Sequence, residues 1–235
     1  MTPSPSSSGV PSIEALATAL PTLAAYVAAA SDYVRLSSAL SLSQKKTGQI
    51  RLSAALGVVL AAELRNQVPW MHPLAGERDV SGGLRIAKAD VSEIHPLDGL
   101  RLAVEIKPVN LAVGRAIWNR FGDIRMFAVN LHLKFPFAVL GGVLAIPTYE
   151  ESSGTGGVAR RSTVHLINRA VARLSRAGGR RTEGDAPHLL EGVGVLVYDP
   201  DAGVVDPDIP PAGSGLRWDE FISAMAIAYA ARFEE

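Results

Sequence analysis

The chain of 235 residues has no cysteine. That excludes disulfides, thiolate metal sites and a cysteine nucleophile together. Lysine is scarce: only Lys45, Lys46, Lys88, Lys107 and Lys134 stand among 23 basic residues, an arginine bias that points to GC-rich coding. The five histidines (His72, His95, His132, His165, His188) lie far apart, with no HxH or HExxH spacing, so no histidine-built metal site is expected. Long apolar runs are missing too. The stretch "ALATALPTLAAYVAAA" is 16 residues long and broken by Pro21, too short for a bilayer span. The opening "MTPSPSSSGVPS" has no basic region of the secretory type, which sets the expectation of a cytoplasmic chain, with no membrane partner. There is no GxxxxGK[ST] and no GxSxG, and "GTGGVA" at 154–159 follows a polar loop instead of a strand, which reads as flexible linker.

What is present is a globular composition, 48% hydrophobic and 20% charged, long enough for one core with a helical addition. The net charge of zero conceals a segregation. Residues 152–182 carry seven arginines and no acid, whereas 183–235 carry 11 acids and two arginines. Neutrality argues against a general polyanion binder, and the segregation leaves a local anion-binding face. Residues 1–11 read as a disordered tail, 12–70 as an N-terminal helical region (helices over 12–40 and 43–66), and 71–235 as the core with a C-terminal helix. Within the core, 84–94 and 100–107 alternate as strands and 111–134 reads as one or two helices, with Gly122 as the candidate break. "FAVLGGVLAIP" reads as a buried strand, followed by a Gly/Ser-rich loop, a helix at 162–177, the strand "GVGVLVYD" and a helix at 217–233. The order is α/β with an internal antiparallel hairpin. Trp70, Trp118 and Trp218 are scattered and read as core or interface anchors.

The hairpin carries the chemistry. "HPLDG" is a turn signal; with Pro96 to Gly99 as a four-residue loop, His95 faces Leu100 and facing positions sum to 195. Asp90 then lies opposite Glu105, and Lys88 opposite Lys107. Lys88, Asp90 and Ser92 share a face with Ala103, Glu105 and Lys107, while Ala89 and Val91 join Leu102, Val104 and Ile106 on the core side. Two adjacent carboxylates repel unless a proton or cation lies between them. A hard divalent cation takes such oxygen ligands, and a lysine beside it can orient or deprotonate the attacking water and neutralise charge on a phosphoryl group.

An acid on one strand, then E-x-K at the end of the next, followed by helix and strand, resembles the PD-(D/E)XK nuclease superfamily. The resemblance covers residues 84–147, with Asp90 in "AKADVSEI" and Glu105-Ile106-Lys107 in "VEIK". It implies a restriction-endonuclease-like mixed sheet, a Mg²⁺-dependent type II-like restriction endonuclease acting on double-stranded DNA, and a homodimer with the N-terminal helices as the candidate interface. By that resemblance Asp90, Glu105 and the Ile106 carbonyl hold Mg²⁺, Lys107 is the catalytic lysine, and Glu63 in "LAAELRN" is a further acidic ligand or a surface glutamate paired with a neighbour. The chain departs from the pattern at residue 89, where Ala stands in place of proline. Pro96-Leu97-Asp98 has a proline and an acid, but in the turn. The usual extra strand before the acid shows only as a stub near "RDV". The alternative reading is an inactive nuclease-fold subunit that binds DNA or serves assembly. A third is an unrelated enzyme, in which Asp90 lies far from Glu105 and the arginines pack on the acidic tail.

In "STVHLINRAVARLSRAGGR", His165, Arg169, Arg173, Arg176 and Arg180 fall within an arc of about 80° on a helix, opposite Val164, Ile167, Val171 and Leu174. Like charges at this spacing destabilise a helix, so a partner is expected: DNA phosphates or the acidic C-terminal segment. Arg115, Asn119 and Arg120, on the helix after E-x-K, are also placed to face DNA.

Overall fold

The computed structural model describes residues 22–154 and 157–233; the expected tail, the start of the first helix and Thr155-Gly156 lie outside them. The Thr22 side chain accepts the Ala25 amide and starts α1 (Leu23–Arg35). A reciprocal capping box between Ser41 and Gln44 starts α2 (Leu42–Gln67), satisfying two amides that the first turn leaves free. Along α2, Leu52, Leu56, Val59, Leu60 and Leu64 recur at helical spacing and are buried.

Three strands follow as an antiparallel meander: β1 (Leu74–Ser81), β2 (Ile86–His95) and β3 (Gly99–Pro108). α3 (Val113–His132) then crosses over to β4 (Val139–Pro147), which runs parallel to β3. β5 (Tyr149–Gly154) and β6 (Gly157–Ser162) form a separate two-stranded sheet, and α4 (Val164–Leu174) leads to β7 (Gly192–Asp199), parallel to β4. The short β8 (Val204–Val205) and α5 (Trp218–Phe233) complete the chain. The main sheet is mixed and six-stranded, in the order β1-β2-β3-β4-β7-β8.

Both faces of this sheet are covered. Leu102, Val104 and Ile106 of β3 join Val143 and Ala145 of β4 against α1, α2 and α5. The alternate residues, Ala103, Leu140, Leu144, Val195 and Val197, pack against α3 and α4. Two buried faces explain why β4 and β7 read as continuous apolar runs, without alternation. On β7, Gly192 and Gly194 leave room for Phe221 of α5, which a Cβ at either position would meet.

Several expectations are corrected. The strand expected as a stub is the eight-residue β1, and the Gly/Ser-rich loop contains the β5–β6 hairpin, with 157–159 in β6. α3 runs through Gly122 unbroken. The N-terminal helices, expected outside the core pattern, join the main core through Tyr26, Val34, Leu56 and Leu60. Gly99 pairs with His95, so the β2–β3 loop has three residues, and a bulge after Glu93 restores the expected register at Val91↔Val104. No helix among the described residues is long and apolar enough to cross a membrane.

Candidate active site

Ladder pairing between β2 and β3 runs from the loop to Val91↔Val104. At the next residue the Asp90 carboxylate accepts the Ile106 amide at 2.7 Å, so a side chain takes a proton that a neighbouring carbonyl would accept in a continuing ladder. Beyond it the strands border a cleft of about 300 Å³. Asp90 and Lys88 of β2, with Arg85 just before that strand, line it on one side, and Glu105 and Lys107 of β3 on the other. Asp123, Phe127 and Asn130 of α3 also line it; their spacing of four and three puts them on one stripe of the helix.

Asn130 fixes that helix to the start of β2. Its Oδ1 accepts the Leu84 and Arg85 amides at 2.8 and 3.0 Å, and its Nδ2 donates to the Arg85 carbonyl at 3.0 Å. On the other side of Asp90, Ser53 of α2 places its hydroxyl 3.5 Å from both Asp90 Oδ1 and the Ile106 carbonyl. The two oxygens therefore flank one point.

Lys107 Nζ lies 2.6 Å from Glu105 Oε1. The other oxygen, Oε2, is buried and has no hydrogen-bond partner. Burial pushes the Asp90 carboxyl above its ordinary value; the Ile106 amide and the Lys107 charge oppose this, and Glu77 adds to it. Burial also pushes Glu105 up, against the opposing Lys107, with Asp123 and Asp90 adding their charge. The site therefore keeps two carboxyls with a raised affinity for a proton.

The structure brings Asp90, Glu105, the Ile106 carbonyl and Lys107 together, as the hairpin pattern anticipates, and Asp90 is not remote from Glu105. It does not pair Lys88 with Lys107: Lys88 makes an ion pair with Glu77 of β1 instead. Ala89, expected beside Val91, belongs to the cluster under α3, because regular alternation breaks at Asp90. Glu63 is not a fourth ligand. It accepts the Trp218 indole N–H at 2.6 Å, and ten residues of helix, about 15 Å, separate it from Ser53. Asp98 pairs with Arg101 in the turn. Among the described residues no three acidic or histidine side chains converge as a metal cluster.

The arginines divide. Arg115 and Asn119 on α3, and Arg169 and Arg173 on α4, are exposed. The Arg173 guanidinium lies 4.4 Å from the centre of the Trp118 ring, a cation–π contact joining the two helices. Arg120 pairs with Asp123 at 3.1 Å. Arg176 is exposed but lies beyond the end of α4. Arg180 is a correction: at 3% exposure it is buried, 3.0 Å from Glu191, and also donates to the carbonyls of Pro136 and Glu183. Among the described residues no acid pairs with Arg115, Arg169, Arg173 or Arg176, so the acidic segment does not cover this face.

Sequence reasoning missed Glu77, Asp123, Asn130 and Ser53. The i, i+4, i+7 stripe in α3 was available as a signal for Asp123 and Asn130; Glu77 required recognising β1. Comparison with protein-family models, curated proteins and solved structures returns no match.

Proposed function

We propose that the chain is a Mg²⁺-dependent DNA endonuclease of the PD-(D/E)XK type, most simply a type II-like restriction enzyme. The observation that carries this reading is the convergence of Asp90, Glu105 and Lys107 in one cleft where β2 and β3 border it. The meander β1–β2–β3, the crossover through α3 and the parallel β4 support it, since they follow the strand and helix order of that resemblance.

The donor set fits a hard cation. Asp90, Glu105 and the Ile106 carbonyl offer only oxygen, and Glu105 Oε2 is a buried acceptor with no partner. These three groups would hold Mg²⁺, which when bound supplies Lewis-acid polarisation of the scissile phosphate. The remaining work falls to the chain's own groups. The Ile106 amide and the Ser53 hydroxyl keep the Asp90 carboxylate oriented. Glu105 holds the Lys107 side chain in the cleft, where it orients the attacking water and neutralises negative charge as it develops on the phosphoryl oxygens. Arg115, Asn119, Arg169, Arg173 and Arg176 supply phosphate contacts along the α3–α4 surface, which sets affinity and register without reading bases. Cutting both strands in one encounter takes two such sites, and on that ground the active form is a homodimer.

The test is incubation of plasmid and phage DNA with the wild-type chain, in Mg²⁺ and in EDTA. The expected result is Mg²⁺-dependent cleavage that falls by at least about 100-fold in Lys107→Ala. Mg²⁺-independent cleavage, or cleavage unaffected by Lys107→Ala, would overturn the assignment. DNA binding without cleavage would replace it with the inactive DNA-binding subunit.

A further inference from the structure

A second charged pair borders the cleft, and neither the E-x-K motif nor the proposed chemistry uses it. β1 does not pair regularly with β2: Ala75 faces Val91 and Arg78 faces Ala89, so Gly76 and Glu77 together oppose Asp90. Gly76 has φ 114°, a conformation open to glycine and strained for other residues. A bulge of this kind re-aims the side chain it carries. Here Glu77 lines the same cleft as Asp90 and makes an ion pair with Lys88.

This pair differs from the one on β3. The Lys107 and Glu105 side chains are 25% and 11% exposed, whereas those of Lys88 and Glu77 are 64% and 59% exposed. An exposed pair contributes little to stability, so the fold does not require it. Glu77 engages one side of a lysine that has three donors, leaving the others directed to solvent at the mouth of the cleft. Lys88 stands two residues from Asp90 on β2, about 6.6 Å along the strand, a distance comparable to the step between neighbouring phosphates of one nucleic-acid strand. Arg85, also exposed, continues the same wall.

We propose that Lys88 is a phosphate-binding residue for the substrate strand, gripping a phosphate next to the one attacked at the Asp90–Glu105–Lys107 site, with Glu77 as its tether. This rests on the nuclease reading and adds a contact to it.

The experiment measures binding of a fluorescent DNA duplex to the full chain by anisotropy, without divalent cation, over a series of salt concentrations. Lys88→Ala should weaken binding by about 3- to 10-fold at low salt and reduce the slope of log affinity against log salt by about one. Lys88→Arg should keep the wild-type slope. In cleavage assays Lys88→Ala should raise KM and leave kcat within about twofold, because the contact is made equally in the bound and reacting states. Wild-type affinity and slope in Lys88→Ala, beside a wild-type chain that binds DNA, would overturn this inference alone. A wild-type chain that neither binds nor cleaves DNA would overturn the nuclease reading and this inference with it.

Discussion

Asp90 carries a cost that follows from its position. Burial raises its carboxyl above the ordinary value, so the folded chain binds this proton more tightly than the unfolded chain does. Such a group destabilises the fold as pH rises through the window between the ordinary and the raised value, and the whole penalty is present above that window. Asp90→Asn removes the charge while its amide oxygen can still accept the Ile106 N–H. Thermal melts should therefore show Asp90→Asn more stable than wild type at pH 7, with the difference vanishing toward pH 4, while cleavage falls by at least about 100-fold. Equal stability at both pH values would show that burial does not penalise this carboxylate.

At the scale of elements, the exposed face of α3 and α4 and the buried end of the arginine run should behave in opposite ways. Arg169→Ala combined with Arg173→Ala should lower DNA affinity across sequences and reduce the salt slope by about two, with little change in melting temperature. Arg180→Ala should instead destabilise the chain by about 3–5 kcal/mol, because it leaves Glu191 short of a buried partner. Chemical denaturation and anisotropy on the same variants separate the two roles. The error in assigning Arg180 to the helix face has a physical origin. Its spacing continues the pattern of Arg169, Arg173 and Arg176, but α4 ends at Leu174 and the backbone turns at Gly178-Gly179. Long elements with a clear period were legible: β7 coincides with "GVGVLVYD", and α2 and α5 lie within a residue of their expected limits. β1 was not, because an edge strand of mostly exposed residues shows no alternation. The β5–β6 hairpin was hidden by a Gly/Ser-rich composition that reads as loop. Asp90 beside Glu105 was legible because the bulge after Glu93 offsets the shorter loop and returns the strands to the expected register. Lys88 was misplaced because nothing in the pattern marks where β2 and β3 stop pairing.

Across the whole molecule, one buried carboxylate ties distant segments together. Glu191, just before β7, contacts Arg180 at 3.0 Å, Arg232 of α5 at 2.8 Å and His132 of α3 at 3.4 Å, and accepts the Leu140 amide at 2.7 Å. Burial alone would raise it, but His132, the Leu140 amide and Arg232 together hold it below the usual carboxylate value. The sign is opposite to that of Asp90: this group stabilises the fold above its unfolded value, and the contribution is lost as pH falls through the lowered value. Glu191→Gln should therefore destabilise the chain by about 3–5 kcal/mol at pH 7, and by progressively less as the medium becomes acidic. Urea titrations at a series of pH values would show it, and a loss independent of pH would mean that packing, not charge, is what Glu191 provides. The hub joins α3, β4, β7 and α5, helices from opposite faces of the sheet, and Asn130, two residues before His132, secures α3 to the cleft.

In the proposed enzyme Asp90 and Glu105 jointly take a divalent cation in this cleft. Calorimetric titration of Mg²⁺ and Mn²⁺ into the wild-type chain, Asp90→Asn and Glu105→Gln tests it most directly. The wild-type chain should bind at one site, and either substitution should abolish binding. As pH is lowered from 7 the heat should depend increasingly on the ionisation enthalpy of the buffer, because carboxyls with raised values release protons as the cation binds. No binding to the wild-type chain, or binding that survives both substitutions, would contradict the account.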